Sequence, residues 1–138
     1  MKRQPRKEAQ RWLIHAKDEF QDANELRLRS RFYLALFHFQ QAAEKAIKAF
    51  LYSVAGSEEV FFTHSIYELM RLAKEATPDF EKVEKAAKLD QYYIPTRYPN
   101  GLPGGVPSRF YTDPEEAREA MELARAVLEM VEGKLGED

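Results

Sequence analysis

The chain contains no cysteine. A disulfide framework, a thiolate metal site and a cysteine nucleophile are excluded together. Histidine is scarce: His15, His38 and His64 are the three in the chain, and none belongs to an HExxH or HxxxH pair. No carboxylate cluster stands beside them at ligand spacing, so neither a metal nor another cofactor is expected. No stretch approaches the roughly 20 uninterrupted apolar residues of a membrane span. The charges at Lys2, Arg3, Arg6 and Lys7 are not followed by the apolar segment of a signal peptide. The expected location is the cytoplasm. Neither sign of charge dominates, since 21 Lys and Arg stand against 23 Asp and Glu. Any contact with nucleic acid must therefore come from a local patch and not from a global basic field.

What the sequence does have is helical periodicity. From Arg31 to Ala55 it reads RFYLALFHFQQAAEKAIKAFLYSVA, free of Gly and Pro. Phe32, Leu36, Phe39, Ala43, Ala46, Phe50 and Val54 recur at the three-and-four spacing of a helix stripe. At about 1.5 Å per residue this makes a rod of roughly 37 Å, long enough to span a small domain. The opposite face carries Leu34, Phe37, His38, Gln41, Lys45, Lys48 and Tyr52. That face is too apolar for ordinary solvent and too charged for a core. Leu34, Phe37 and Tyr52 on it are the candidate dimer interface, because an apolar patch left open on a monomer marks a contact surface.

The other elements flank this helix. A first helix opens near Pro5, with Ala9, Trp12, Leu13, Ala16, Phe20 and Ala23 on one face. The cluster Arg27, Arg29, Arg31 falls at the join and reads as a solvated corner. After Gly56, a helix-ending residue, a connector from Ser57 to Phe62 leads to Thr63 as an expected N-cap, with Phe62 placed to staple against Tyr67. A third helix turns Ile66, Leu69, Met70 and Ala73 inward. Thr77-Pro78 stops and restarts the chain into a fourth helix to about Leu89, with Phe80, Val83 and Ala87 on its face. Asp113-Pro114 opens the last helix, where Glu116 has the spacing to close a capping box. Its stripe is Ala117, Met121, Ala124, Leu128, Val131 and Leu135. Residues 1–138 are read as a single all-α domain, a four- to five-helix up-and-down bundle with a Pro/Gly/Tyr-rich loop before the last helix.

That loop differs in character from the rest. Pro95, Pro99, Pro103 and Pro107 with Gly101, Gly104 and Gly105 forbid a regular helix or an interior strand. Yet it holds Tyr92, Tyr93, Ile94, Tyr98, Phe110 and Tyr111 with Arg97 and Arg109, and a flexible linker would carry no aromatics. GLPGG at 101–105 has no GK[ST] after it and no strand before it, so it is not a P-loop. No GxSxG or Ser/His/Asp arrangement is present. Arg97 offers a guanidinium for phosphate, and Tyr93 and Tyr98 offer rings for a base. The alternative is that the tyrosines plug the bundle end and Arg97 pairs with a carboxylate. Lys45 and Lys48 would add positive potential if the loop folds over their face.

Taken in order, WLIHAKDEFQDA, YLALFHFQQAAEKAIKAFL, THSIYEL, LDQYYIPTRYPNGLPGG and DPEEAREAMELARAVLEMV resemble the HEPN domain family, in its small stand-alone prokaryotic form. The resemblance spans nearly the whole chain, and QQAAEKAIKA with YIPTRYP is its most specific part. It implies a helical bundle that dimerises, that binds nucleotides in some members, and that is paired in many cases with a minimal nucleotidyltransferase in toxin–antitoxin-like systems. Catalytic members resemble metal-independent ribonucleases marked by Arg, four to six residues, then His near the last core helix. Arg97 matches that arginine, but Leu102, Pro103 and Gly104 stand where the histidine would fall, and no His follows His64. Arg31 and His38 have a six-residue gap, but at the front of the central helix. The tyrosine motif that the nucleotidyltransferase modifies in the family is missing as well. The expectation is a non-catalytic subunit that binds nucleotide or RNA phosphate at Arg97, Tyr93, Tyr98, Lys45 and Lys48. A ribonuclease toxin and a pure protein-interaction module are the alternatives.

Overall fold

A computed structural model describes residues 5–56 and 58–136. Lys2, Arg3 and Ser57, named above, lie outside them. Helix α1 runs Pro5–Leu28 and α2 runs Phe32–Ala55. A 3-10 turn at Glu58–Phe62 precedes α3, Ile66–Ala76. A 3-10 segment, Pro78–Tyr92, leads into the loop, which holds a 3-10 turn at Pro99–Gly101 and the short α4, Pro107–Phe110. Helix α5 spans Pro114–Leu135. Among the described residues there is no strand, and none of the helices is long and apolar enough to cross a membrane.

Helix α2 is the axis of the bundle. It packs on α1, α5, α3 and the 3-10 segment, and Leu36, Phe39, Ala43, Ala46 and Ile47 are sealed from solvent. Ala42 and Ala49 are fully buried too, which lets neighbouring backbones approach closely. Val54, expected at the end of the stripe, is mostly exposed, and Gly56 ends the helix at φ 66°. The stripe of α5 is buried along its whole length.

Local expectations are corrected at the segment after Thr77, at the start of α3 and at Glu116. The segment after Thr77 is a 3-10 helix and not an α-helix, and it continues to Tyr92. Its buried residues are Phe80, Val83, Ala86, Leu89 and Tyr92, a strict spacing of three. With three residues per turn these eclipse into one straight row, whereas an α-helix would carry them around its circumference. Ala86 therefore takes the inward place expected of Ala87.

The N-cap of α3 is Ser65, two residues beyond Thr63; its hydroxyl accepts from the Glu68 N–H at 3.2 Å. Asp90 decides this from the far side of the fold. Its carboxylate accepts from the N–H groups of Ile66 at 2.7 Å and Tyr67 at 3.0 Å, at the positive end of the helix. Starting later, the helix leaves Phe62 and Tyr67 exposed at 79% and 62%, and the staple does not form. Thr77 and Asp113 cap as expected. The Glu116 carboxylate instead accepts from the Tyr92 hydroxyl at 2.7 Å, joining α5 to the end of the 3-10 segment.

Candidate anion site at Arg97

The 3-10 segment delivers Tyr93 to the edge of α2, and a tight turn follows, with the N–H groups of Arg97 and Tyr98 both donating to the Ile94 carbonyl. Buried Thr96 donates its hydroxyl proton back to the Tyr92 carbonyl. Gly101 sits in close approach, because a Cβ there would stand 3.2 Å from the Pro95 Cα. The prolines restrict the unfolded chain, so ordering the loop costs less.

Within this turn the Arg97 side chain is locked. Its Nε donates to the Tyr93 carbonyl at 2.9 Å. Its guanidinium carbon lies 4.6 Å from the Phe37 ring centre, 4.8 Å from Tyr93 and 5.0 Å from Tyr98. Cation–π attraction to each ring contributes about 0.5–1 kcal/mol at such exposed sites. None of the described carboxylates pairs with Arg97, and the sequence from Gln91 to Thr112 contains no Asp or Glu at all. The tyrosines pack around the guanidinium of Arg97, an exposed residue whose charge none of the described carboxylates neutralises.

Behind the rings lie two histidine–carboxylate pairs. His38 meets the Phe37 ring edge-on at 5.1 Å, and its Nδ1 donates to Glu19 at 2.8 Å. His64 stacks on Tyr93 at 5.3 Å, and its Nδ1 donates to Glu44 at 3.2 Å. Each carboxylate also holds a lysine: Lys45 on Glu19 at 2.6 Å, and Lys48 on Glu44 at 2.8 Å. Burial works to raise the Glu19 carboxyl, but the hydrogen bonds from His38 and Lys45 outweigh it and hold its pKa below the ordinary value. Glu44 and Lys48 are each 2% exposed. Gln40 and Gln41 donate to Glu44, and the Phe61 carbonyl accepts from Lys48. Among the described residues no buried side-chain nitrogen or oxygen is left without a partner. Such completeness is what makes a buried ion pair tolerable.

Of the residues singled out in the sequence, the structure unites Arg97, Tyr93 and Tyr98. It does not bring Lys45 or Lys48 to them as free charge, because each is neutralised by its own carboxylate and Lys48 is buried. Phe37, expected in a dimer face, forms one wall of the arginine cage. Leu34 is half-buried. Tyr52, expected to be open, is 3% exposed because the Phe61 ring stacks on it at 5.0 Å within the same chain. The sequence does not reveal Glu19 and Glu44 as the partners of His38 and His64, since each pair joins residues about twenty positions apart and no local spacing signals it.

The model of the HEPN domain matches residues 9–134, nearly the whole length. The chain belongs to the HEPN family. Two solved structures superpose on it. TT1696 from Thermus thermophilus is 38% identical with a TM-score of 0.82, over 91% of this chain and 97% of that one. ST0689, an archaeal HEPN homologue, is 30% identical with a TM-score of 0.72, over 92% of this chain and 97% of its own. No protein of curated function matches. Within the HEPN bundle, then, the arginine expected from the family's motif stands in an aromatic cage, and the histidine expected to follow it is replaced by a Pro/Gly turn.

Proposed function

We propose that this HEPN protein binds the phosphate of a nucleotide or of RNA at Arg97, as the helical subunit of a two-component, toxin–antitoxin-like pair with a minimal nucleotidyltransferase. The un-neutralised guanidinium on its three rings carries the reading. A planar cation fixed at Nε presents its two terminal nitrogens as a fork that matches two phosphate oxygens. Tyr98, half-exposed at the rim, offers a face on which a base stacks for about 1–3 kcal/mol. The partner and the homodimer rest on family membership, with Leu34 and Phe37 on the surface where two copies would meet.

Titration of AMP, ADP, ATP and a short single-stranded RNA by calorimetry tests the binding. Affinity should fall with salt, as phosphate contacts do, and Arg97→Lys should weaken it by more than the conserved charge suggests. A pure interaction module is the second reading, favoured by exposed Ile94, Val106 and Phe110 around the same loop. It stands instead if no nucleotide binds at millimolar concentration while a co-expressed nucleotidyltransferase is retained by the protein.

A further inference from the structure

The ends of α2 and α3 come together beside the 3-10 turn at Glu58–Phe62, and a groove of about 590 Å³ lies between the three elements. Its walls are apolar: Leu51 and Val54 from α2, Val60 from the turn and Leu72 from α3. The stripe of α2 is buried as far as Phe50 and then opens here, with Val54 57% exposed. Ala55 and Ala76, the last residues of the two helices, also line the groove, and both are exposed. The site is therefore an open trough and not a closed cavity. Val54 stands roughly 25 Å from Phe37 along α2, at about 1.5 Å per residue, so the trough is separate from the arginine cage.

The charged residues that line it are Glu59, from the turn, and Glu75, from α3. No lysine or arginine lines it. Arg71 meets Glu75 at 3.5 Å, but both side chains are more than half exposed, and water screens such a pair. The helix ends add to the acidic character. A helix C-terminus carries partial negative charge and carbonyls with no partner inside the helix. The last turn of α2 contains no basic residue to offset it. The last turn of α3 contains Lys74, whose ammonium is paired with Glu84 at 2.8 Å.

We infer that this trough docks an amphipathic helix of a partner protein, whose apolar stripe is flanked by Lys or Arg. The stripe lies against Leu51, Val54, Val60 and Leu72, and the flanking cations meet Glu75, Glu59 and the two helix C-termini. An open apolar groove accepts one face of a helix through anchors at i, i+3 or i+4, and i+7. Its volume falls in the range of about 300–1,000 Å³ typical of ligand sites. The acidic surround fixes orientation and rejects helices flanked by carboxylates. Nothing in the trough depends on Arg97, so the inference stands apart from the phosphate reading.

The test uses the full chain and labelled helical peptides followed by fluorescence anisotropy. One peptide has leucines at the stated spacing with lysines flanking the stripe. A second replaces the lysines by glutamates, and a third replaces the leucines by serines. The first should bind, and the other two should bind at least about tenfold more weakly. Val54→Lys changes an exposed position, and should weaken the lysine peptide about tenfold or more while the thermal melt matches the wild type. Glu75→Lys should weaken the lysine peptide and strengthen the glutamate peptide. Three results overturn the inference: no peptide binds, the lysine and glutamate peptides bind equally, or both substitutions leave affinity unchanged. Light scattering tests the other occupant. A dimer that Val54→Lys converts to a monomer assigns the trough to a second copy of this chain and overturns the docking of a partner helix.

Discussion

The guanidinium carbon of Arg97 lies 4.6 Å from the centre of the Phe37 ring, so a residue of the Pro/Gly loop and one near the start of α2 form a single wall. That contact changes what a substitution at Phe37 reports. Phe37→Glu places a carboxylate against Arg97 and should abolish nucleotide binding by neutralising the site from within. Phe37→Leu keeps the apolar bulk but removes the ring, and should weaken binding by about two- to fivefold, the worth of one exposed cation–π contact. Light scattering on the same variants separates the two roles of the residue. A dimer that survives Phe37→Glu assigns Phe37 to the cage alone, whereas a monomer shows that it also lies between two copies.

The buried pair Glu44–Lys48 gives a stability prediction. Lys48→Met leaves the Glu44 carboxylate buried beside His64 without its permanent cation, and should cost about 3–5 kcal/mol in urea denaturation. Replacing both, as Glu44→Leu with Lys48→Met, should recover most of that loss, because the desolvation of the charges disappears with them. A double variant as unstable as the single one would show that Gln40, Gln41 and the Phe61 carbonyl, left without partners, dominate.

The spacing of three in the 3-10 segment is checked by two neighbouring alanines. Ala86 is fully buried in the row of Phe80, Val83, Leu89 and Tyr92. Ala86→Glu should therefore lower stability by at least about 2 kcal/mol, since it buries a carboxylate with no partner. Ala87→Glu should change it by less than about half as much, the reverse of what an α-helical register gives. Thermal melts of the two variants decide it.

Acid stability should report Glu19. Its carboxyl titrates below the ordinary value in the folded chain, so its contribution is complete above the unfolded-state pKa of about 4.3. That contribution is lost as pH falls from there through the lower folded value. Urea midpoints measured from pH 6 downwards should fall less steeply in Glu19→Gln than in the wild type. Equal slopes would mean that His38 and Lys45 interact with Glu19 as much in the unfolded chain as in the folded one.

The helices α1, α2, α3 and α5, their buried stripes, the stop at Gly56 and the caps at Thr77 and Asp113 are legible in the sequence because each depends on neighbours within about one or two turns. Periodicity and cap chemistry encode such short distances directly. Arg97, Tyr93 and Tyr98 could be picked out for a similar reason, being close in sequence and conspicuous in a loop with no carboxylate. The tertiary structure decided everything that depends on two distant segments meeting. Asp90 moves the start of α3 from Thr63 to Ser65; core packing draws residues 78–92 into a register of three; Phe61 covers Tyr52; Glu44 takes Lys48 out of solvent. Above all, it pairs His38 with Glu19 and His64 with Glu44, and lays Phe37 against Arg97. Hydrogen bonds, ion pairs and ring contacts act over a few ångströms in space and are indifferent to separation along the chain, so no local pattern announces them before the helices pack.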